Sequence, residues 1–424
     1  MKNYFDLEAY SKRRTNLINL VKDIYPKQKG LILLFSNFED HVKKFKQESS
    51  FSYFTGINEP ASVLALSLEN RSEIFLPNNA ELRAKWVSCI TTKTLPKQVG
   101  IDQIVPLGKE ITTLDLDPFF TEADVEHLLK KMEDIVKEGG CLFVINPKDT
   151  EEYLQQKLIL NNLCQLKPAL KDALKDISPL VAVLRSVKSK QEIEAIYKAI
   201  EITAMAQEAA QEAISAGKTE AEIEGAINYV YTASGSVPAF PSIVGSGKNS
   251  TVLHYNNNDQ ELQKGDLVVV DIGADFKGYS ADITRTYPVS GKFTDRQKEI
   301  YNIVLETQEF IASIAKPGIW LKNPDKPEES LHHIAKEFLR KKGYDQYMPH
   351  GLGHYLGMNT HDVGDYKNPL EVGNVFTIEP GIYIPEENLG VRIEDDYWVV
   401  EDGVVCLSEN IPKTVAEIEK VTQE

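Results

Sequence analysis

Cysteine is scarce in this 424-residue sequence, which has four, at positions 89, 141, 164 and 406, and none forms a CxxC pair. Such spacing argues against a disulfide framework or a zinc ribbon and is typical of a reducing compartment. The sequence also lacks a run of about 18 apolar residues, the length that spans a bilayer. Its first residues, MKNYFDLEAYSKRR, are charged where a secretory signal would be apolar. We therefore expect a soluble, cytoplasmic protein.

Positive charge is also in the minority, with 47 Lys and Arg against 63 Asp and Glu, for a net charge of -16. No block of Lys and Arg stands out. Nucleic acids and anionic membranes attract proteins through clustered positive charge, so we expect neither as a partner. The length favours two domains over one.

The first part of the chain is predicted to be mixed α/β. Short apolar or alternating runs predict strands at Leu31–Phe35, Ser52–Phe54, Ser62–Ser67, Glu73–Leu76 and Leu142–Asn146. Thr121 is expected to cap a helix over Glu122–Val136. This region is the expected N-terminal domain, residues 1–175.

A long helical pattern between about residues 172 and 216 marks the start of the second domain, residues 176–424. Further helices are predicted over Asp295–Ile314, with Thr294 as the cap, and over Glu328–Lys341. The remaining segments read as strands with Gly, Pro and Asn between them. Helices set apart from antiparallel strands predict an α+β class.

Two aspartates lie in a predicted hairpin of the second domain. Strands over 267–274 and 279–287 flank a turn centred near Phe276–Lys277, which would place Asp271 almost directly opposite Asp282. Facing residues have Cβ atoms about 4.5–5.5 Å apart. Two carboxylates that close, among apolar residues, are costly unless a cation lies between them.

Two glutamates repeat this arrangement. Glu379 and Glu394 are placed symmetrically about a turn centred near Glu386–Glu387 and should also face each other. A single acidic pair on a hairpin is commonly exposed to solvent. Two such pairs, each within apolar strands, predict a metal site.

Histidines supply a further ligand. The stretch MPHGLGHYLGMNTHDVG contains three of the eight histidines, His350, His354 and His361. Carboxylates with one imidazole, from His354, suit Mn²⁺, Co²⁺, Fe²⁺ or Zn²⁺. Two cations bridged by acids would share a hydroxide nucleophile.

These residues resemble the catalytic domain of the pita-bread metallopeptidases, which include methionine aminopeptidase, aminopeptidase P and prolidase. The resemblance is carried by DIGADFKGYSADITRT, HGLGHYLGMNTHDVG, TIEPGIYI and GVRIEDD, and it covers about residues 180–415. It implies an α+β pita-bread domain with an antiparallel sheet and flanking helices. SYFTGINEPASVLAL and IFLP resemble a creatinase-type N-terminal domain, whose size is closer to aminopeptidase P than to microbial prolidase.

The resemblance implies two divalent metal ions, with Mn²⁺ expected first. Its ligand set corresponds to Asp271, Asp282, His354, Glu379 and Glu394. Asp282 and Glu394 would bridge both ions. Asp271 would bind one ion, and His354 and Glu379 would complete the other. Glu379 would also act as the general base.

The resemblance also implies substrate contacts. His254 and His361 would stabilise the tetrahedral intermediate, and His350 would line the leaving-group side. Tyr383 and Arg392 look like the pair at the substrate site that orients the ligands, because Arg392 shares a strand face with Glu394. An ordinary structural ion pair is an equal alternative for Arg392.

The expected function is release of an N-terminal residue that precedes proline, through attack by a hydroxide bridging two metals. One alternative is a prolidase that cleaves Xaa-Pro dipeptides with the same ligands. Two others, an inactive pita-bread binding module and a metal-free creatinase-like amidinohydrolase, are disfavoured by the intact ligand set. Relatives are commonly dimers or tetramers, so a homodimer or homotetramer is expected.

Proline specificity requires a particular pocket. An Xaa–Pro bond has no amide N–H to grip, so its site needs an apolar slot for the ring. Tyr229, Tyr231, Phe240 and Tyr355 are candidates for this slot, and each also fits an ordinary core position.

Overall fold

The computed structural model describes residues 5, 7–39, 44–91, 100–114, 121–147 and 153–421. The chain divides into two compact units, Met1–Leu184 and Arg185–Glu424. The boundary that the sequence analysis placed at residue 175 falls near the end of the first unit. All four cysteines lie among the described residues and are free, as their spacing predicted.

The first unit contains a six-stranded mixed sheet, in agreement with the α/β prediction. Its strands are β1 (Gly30–Phe35), β2 (Val63–Ser67), β3 (Ser72–Asn79), β4 (Gln103–Ile111), β5 (Cys141–Val144) and β6 (Leu174–Asp176), in the spatial order β4-β3-β2-β1-β5-β6. Its helices are α1 (Leu7–Ile24), α2 (Ser49–Thr55), α3 (Glu122–Lys137) and α4 (Leu154–Leu166), followed by α5 (Ser178–Ser186). β1 runs antiparallel to β2 and parallel to β5, which makes the sheet mixed.

The strand predicted over Ser52–Phe54 is wrong, because these residues belong to α2. The carboxylate of Glu48 accepts hydrogen bonds from the backbone N–H groups of Ser50 and Phe51 at the start of this helix. Gly56 ends the helix with a φ of +64°, a value that favours glycine. These caps lie outside the short apolar run, so the run alone could not distinguish a strand from one buried helical turn.

The second unit contains helices and short antiparallel strands. Its helices are α6 (Lys190–Ala213), α7 (Glu220–Ala233), α8 (Asp295–Ile314), α9 (Leu331–Lys342) and α10 (Val415–Val421). Its strands are β7 (Val237–Pro238), β8 (Ile243–Ser246), β9 (Leu267–Ile272), β10 (Ala274–Phe276), β11 (Tyr279–Ser280), β12 (Ile283–Pro288), β13 (Val375–Ile378), β14 (Gly381–Ile384), β15 (Leu389–Arg392), β16 (Asp395–Val400) and β17 (Gly403–Cys406). Every pairing between these strands is antiparallel, which confirms the α+β class.

Capping residues define where the helices of the second unit begin. Thr294 and Gln297 form a capping box at the start of α8, so the helix predicted over Asp295–Ile314 is confirmed. The next predicted helix begins later than expected. Ser330 has an extended backbone, so Pro327–Glu329 form a separate 3₁₀ turn before α9.

Alternation along the strands separates the core of the second unit from a polar face. Val268, Val270 and Ile272 of β9 belong to the apolar cluster that includes residues from α6, α7 and α8. Successive side chains of a strand point to opposite faces, so Asp271 points away from this core. Ile378 and Ile393 also belong to the cluster. Packing of the apolar residues against the helices therefore directs the neighbouring acids to the other side.

Among the described residues, no helix combines the length and the apolar character needed to cross a membrane.

Candidate metal centre

The first acidic hairpin turns at Lys277–Gly278, one residue later than predicted. Both residues have a positive φ, +56° and +82°, as a two-residue type I′ turn requires. Asp271 consequently pairs with Thr284 and not with Asp282, so the predicted pairing of the aspartates is wrong. Asp282 lies two residues from Thr284, and a shift of two residues keeps a side chain on the same face. The two aspartates therefore still share one face.

The second acidic hairpin has the predicted register. β13 pairs with β16, and β14 with β15, in one register that continues across a short interruption. This register places Glu379 opposite Glu394 within the interruption. The two hairpins are joined where the N–H of Glu394 donates to the carbonyl of Thr284, at 3.1 Å. All four acids are thus brought to one region.

His354 is held against the second hairpin by the main chain. Its carbonyl accepts from the N–H of Thr377 at 2.9 Å, and its own N–H donates to the Thr377 hydroxyl at 3.2 Å. A Cβ atom on Gly353 would lie only 1.9 Å from the Thr377 carbonyl oxygen. Glycine at position 353 therefore permits this close approach.

The tautomer of His354 follows from its hydrogen bonds. Nδ1 lies 3.1 Å from the carbonyl oxygen of Tyr355, an acceptor, so Nδ1 carries the proton. Nε2 then presents its lone pair to the acids, 3.3 Å from Asp282 Oδ2, 3.7 Å from Glu379 Oε1 and 4.0 Å from Glu394 Oε1. Metal-ligating histidines are commonly fixed in this way.

The acids form a concentration of negative charge that fits cations. Ligand atoms of Asp282, His354 and Glu394 all lie within 4.8 Å of one another. Burial, and then the neighbouring carboxylates, raise the pKa values of Asp282 and Glu394 well above the ordinary range. Burial also raises the pKa of Glu379, to about 7. The buried Oδ1 atom of Asp271 has no hydrogen-bond partner among the described residues. Such a cluster is stabilised in its ionised form by divalent metal ions.

Arg392 connects the two hairpins. Its Nη2 donates to Asp271 Oδ2 at 2.7 Å, and its Nε donates to the Thr284 hydroxyl at 3.1 Å. That hydroxyl in turn donates to Glu394 Oε2 at 2.7 Å. Thr284 could not be identified from the sequence, because a threonine in a β-strand is unremarkable without the pairing register.

A second series of hydrogen bonds runs from Arg392 to His350. Arg392 Nη1 donates to the Tyr383 hydroxyl at 2.9 Å, and this hydroxyl lies 3.0 Å from His350 Nε2. The other ring nitrogen of His350 lies 2.7 Å from the carbonyl of Gly351. Tyr383 therefore donates to Nε2, and Nδ1 carries the proton of a neutral imidazole. Burial and the charge of Arg392 agree with this assignment, since they lower the pKa of His350 to about 4.

His361 and His254 lie beside the acids. The rings of His361 and His354 have centroids 4.1 Å apart. Burial, followed by the neighbouring histidines, lowers the pKa of His361 to about 4. All ten residues predicted for the site line one cavity of about 290 Å³, together with Leu253, Gly351 and Gly353.

Glu220, at the start of α7, supports the segment that carries His254. Its carboxylate is fully buried and accepts hydrogen bonds from the backbone and side chain of Ser246 and from Tyr255, Asn249 and Gln260. Tyr255 directly follows His254. No feature of the sequence distinguished Glu220 from the many surface acids.

The segment that carries His361 is anchored in a similar way. Asp362 follows His361, and its Oδ1 atom accepts a hydrogen bond from Arg185 at 2.6 Å. Both side chains of this ion pair are almost completely buried. The HD pair in the sequence gave no indication of a distant arginine partner.

The aromatic residues predicted for a proline slot lie elsewhere. Tyr231 and Tyr355 are buried in the core, and Tyr229 is 75% exposed. None of these residues, nor the fourth candidate, Phe240, is among the described residues that line the cavity. Among the residues that line the cavity, Leu253 is apolar and Tyr383 is aromatic.

Two protein families and several known proteins are similar to this chain. The family described as metallopeptidase family M24 matches residues 194–401, and the aminopeptidase P N-terminal domain matches residues 10–115. The Xaa-Pro aminopeptidase of Escherichia coli (strain K12) is 32% identical over 451 residues, covering 97% of each chain. The Xaa-Pro dipeptidase of Pyrococcus horikoshii is 40% identical over 249 residues, which cover 58% of this chain and 67% of the relative.

A solved structure shows the same fold. Aminopeptidase P from Escherichia coli with the inhibitor Pro-Leu superposes with a TM-score of 0.80 at 29% sequence identity. The match covers 99% of this chain and 98% of the other.

Proposed function

This chain belongs to the Xaa-Pro aminopeptidases of metallopeptidase family M24 and is a metal-dependent aminopeptidase, and we propose that it releases the N-terminal residue of peptides that carry proline at the second position. The observation that carries this proposal is the convergence of four carboxylates and His354 on one cavity. The match to an Xaa-Pro aminopeptidase along nearly the full length of both chains supports it.

We propose that two divalent metal ions bind at this site, with Mn²⁺ preferred and Co²⁺, Zn²⁺ or Fe²⁺ compatible with the same donors. Their ligands would be Asp271, Asp282, His354, Glu379 and Glu394, with Asp282 and Glu394 shared between the ions. Two observations support this set: Asp271 Oδ1 has no hydrogen-bond partner within the part of the chain that the structure describes, and His354 Nε2 faces the acids. When bound, such ions lower the pKa of a water molecule and polarise the substrate carbonyl.

We propose that Glu379 moves the proton of the reaction. Its two carboxylate oxygens lie 3.7 Å from His354 Nε2 and 3.7 Å from His350 Nδ1. In this proposal Glu379 takes a proton from the attacking water as the C–O bond forms. It then gives that proton to the proline nitrogen as the C–N bond breaks.

Three further histidines of the cavity, His254, His350 and His361, act on the substrate in this proposal. His361 and His350 have pKa values lowered to about 4, so both rings are neutral at pH 7. The neutral imidazole of His361 and a ring N–H of His254 can each donate to the oxyanion that develops on the carbonyl. In this proposal His350 lines the leaving-group side, and its hydrogen bond with Tyr383, which also contacts Arg392, fixes its orientation.

A prolidase is the second candidate, because identity to an Xaa-Pro dipeptidase reaches 40% over 58% of this chain. The ligand set is common to both activities and does not separate them. We also propose a cytoplasmic location and a homodimer or homotetramer, without nucleic-acid or membrane partners; these proposals rest on the sequence alone.

The direct test is hydrolysis by the purified chain supplied with Mn²⁺. Substrates would be an Xaa-Pro-Yaa tripeptide, the matching Xaa-Pro dipeptide and an Xaa-Ala-Yaa control. We expect the first residue of the proline tripeptide to be released fastest and the alanine control to be a poor substrate. Cleavage of the dipeptide alone would establish a prolidase, and inactivity on all three would contradict both candidates.

A further inference from the structure

Two buried glutamines lie behind the two acidic hairpins. Gln207 is on α6 and Gln308 is on α8, and their exposed fractions are 1% and 0%. Neither residue lines the cavity described above. A buried amide is costly unless its polar atoms are hydrogen-bonded, so the partners of these side chains are informative.

Gln207 joins the two strands that carry the aspartates. Its Nε2 donates to the carbonyl oxygen of Val270 at 3.2 Å and to that of Ile283 at 2.9 Å. Val270 directly precedes Asp271, and Ile283 directly follows Asp282. The amide therefore holds the two strands at the residues next to both acids.

Gln308 makes the corresponding contacts in the other hairpin. Its Nε2 donates to the carbonyl oxygen of Ile378 at 3.1 Å and to that of Ile393 at 3.2 Å. These two residues directly precede Glu379 and Glu394. One amide group thus contacts the residue before each glutamate.

The orientation of each amide is fixed by the hydrogen bond that its oxygen atom accepts. Gln308 Oε1 accepts from Lys413 Nζ at 3.1 Å, and a lysine ammonium group can only donate. Gln207 Oε1 lies 3.0 Å from the hydroxyl of Tyr287, which supplies a donor. The oxygen of each amide is therefore occupied, and its NH₂ group must face the two carbonyls.

Both amides act where the strand ladders are interrupted. The β9–β12 ladder ends at Ile272–Ile283 before the separate β10–β11 ladder begins. The β13–β16 and β14–β15 ladders are likewise separate. Between the β13–β16 and β14–β15 ladders, the N–H of Ile393 donates to the carbonyl oxygen of Pro380 over a long distance of 3.4 Å. Hydrogen bonds from the glutamines add a cross-strand link near each interruption.

We infer that Gln207 and Gln308 are positioning residues that set the cross-strand separation of the four carboxylates and thereby the affinity of the site for metal ions. This inference rests on the proposed ligand set. Asp271 and Asp282 depend on Gln207, whereas Glu379 and Glu394 depend on Gln308. Both glutamines act through the strands that carry the acids and are not among the described residues that line the cavity.

The chain provides a matched control in Gln211. This residue lies one turn after Gln207 on α6, is 6% exposed, and donates from Nε2 to the carbonyl oxygen of Ile418 at 3.0 Å. It is the same residue type on the same helix, but its hydrogen-bond partner lies in α10 and not in either acidic hairpin. A general loss of stability from removing a buried amide would appear in a Gln211 variant as well.

The test compares the metal-free full chain with its Gln207→Met, Gln308→Met and Gln211→Met variants in titrations with Co²⁺. Affinity is measured by calorimetry, and ligand geometry by the visible absorption of the bound ion. Methionine keeps a similar side-chain length but cannot donate. We expect about 10- to 100-fold weaker binding and an altered spectrum for Gln207→Met and Gln308→Met, the range typical when supporting partners of ligands are removed. Gln211→Met should bind as the unsubstituted chain does.

Tyr287→Phe is a second, milder variant for the case in which a methionine variant does not fold. It removes only the hydroxyl that orients the Gln207 amide, and we expect weaker Co²⁺ binding with a changed spectrum. Unchanged affinity and spectrum in this variant and in whichever methionine variants fold would overturn the inference, although the proposed function would stand. Absence of Co²⁺ binding by the unsubstituted chain would overturn both.

Discussion

Arg392 and Asp271 form a buried ion pair in which Nη2 lies 2.7 Å from Oδ2, while the other oxygen of Asp271 has no hydrogen-bond partner among the described residues. The same guanidinium group donates to Tyr383 and Thr284, so three partners hold its plane. One oxygen of Asp271 is thereby occupied by the protein and the other is left available. Arg392 thus determines how Asp271 is presented in the cavity.

We predict that Arg392→Met destabilises the metal-free chain by about 3–5 kcal/mol, because it leaves a buried carboxylate without its partner. Denaturant unfolding of the chelated protein measures this change. Arg296→Met is the control, since the pair of Arg296 with Glu387 is well exposed, and its removal should cost about 1 kcal/mol or less. Equal losses in the two variants would contradict the role given to the buried pair.

His361→Ala should leave the metal ions in place and lower kcat by about 10²- to 10³-fold, the range for removing one oxyanion donor. The reason is that His361 lies beside His354 but is not in the proposed ligand set, in which His354 is the one imidazole. Metal analysis and steady-state kinetics together check this expectation. His333→Ala, a substitution of a histidine that contacts Ser330, is the control and should change neither quantity. Loss of metal from the His361 variant would show that its proposed role is wrong.

Asp282→Ala and Glu394→Ala should each abolish activity and the binding of both metal ions, because each carboxylate is proposed to be shared between the ions. Metal content per folded chain is the measurement, with circular dichroism to establish folding. A variant that is folded and still retains two ions would refute the shared roles. Asp266→Ala, which replaces a partly buried acid outside the cavity, should retain both ions.

Glu59, in the first unit, should make stability depend on pH. It is 2% exposed, and burial raises its pKa from 4.5 to about 7 despite hydrogen bonds from Ile90 and Asn79. Between pH 4.5 and about 7 the folded chain holds a proton that the unfolded chain has released. The contribution of Glu59 to the free energy of unfolding therefore falls by about 3 kcal/mol as pH rises through this window. Above about pH 7 this contribution does not change further.

Glu59→Gln should remove this component of the pH dependence. Unfolding of the full chain at pH 5 and pH 8, with and without the substitution, isolates it from the other carboxylates. We expect the stability of the variant relative to the unsubstituted chain to be higher at pH 8 than at pH 5. A difference that is the same at both values would contradict the assignment.

The identity of the acidic residues and the face they share could be predicted from sequence, because both follow from alternation along apolar strands. Asp271 lies between Val270 and Ile272, and burial of these two neighbours directs it away from the core. The pairing partner of Asp271 could not be predicted in the same way. Register depends on the turn, and the positive φ of Lys277 was not indicated by its residue type.

Contacts between distant segments were the main part of the site that sequence analysis did not find. Thr284, Glu220 and Gln308 are common residue types, and each acts through partners far away in the chain. The helix over Ser49–Thr55 was missed for a related reason, since its caps at Glu48 and Gly56 lie outside the apolar run. The aromatic candidates for a proline slot are not among the described residues that line the cavity, because composition does not indicate where the fold places each ring.

Metal dependence is best measured as activity on an Xaa-Pro-Yaa tripeptide, followed together with metal content through chelation and reconstitution. We predict that a chelator abolishes release of the first residue. We also predict that activity returns with added Mn²⁺ as the content reaches two ions per chain. Full activity in the chelated, metal-free chain would contradict the assignment of a metal-dependent site to Asp271, Asp282, His354, Glu379 and Glu394.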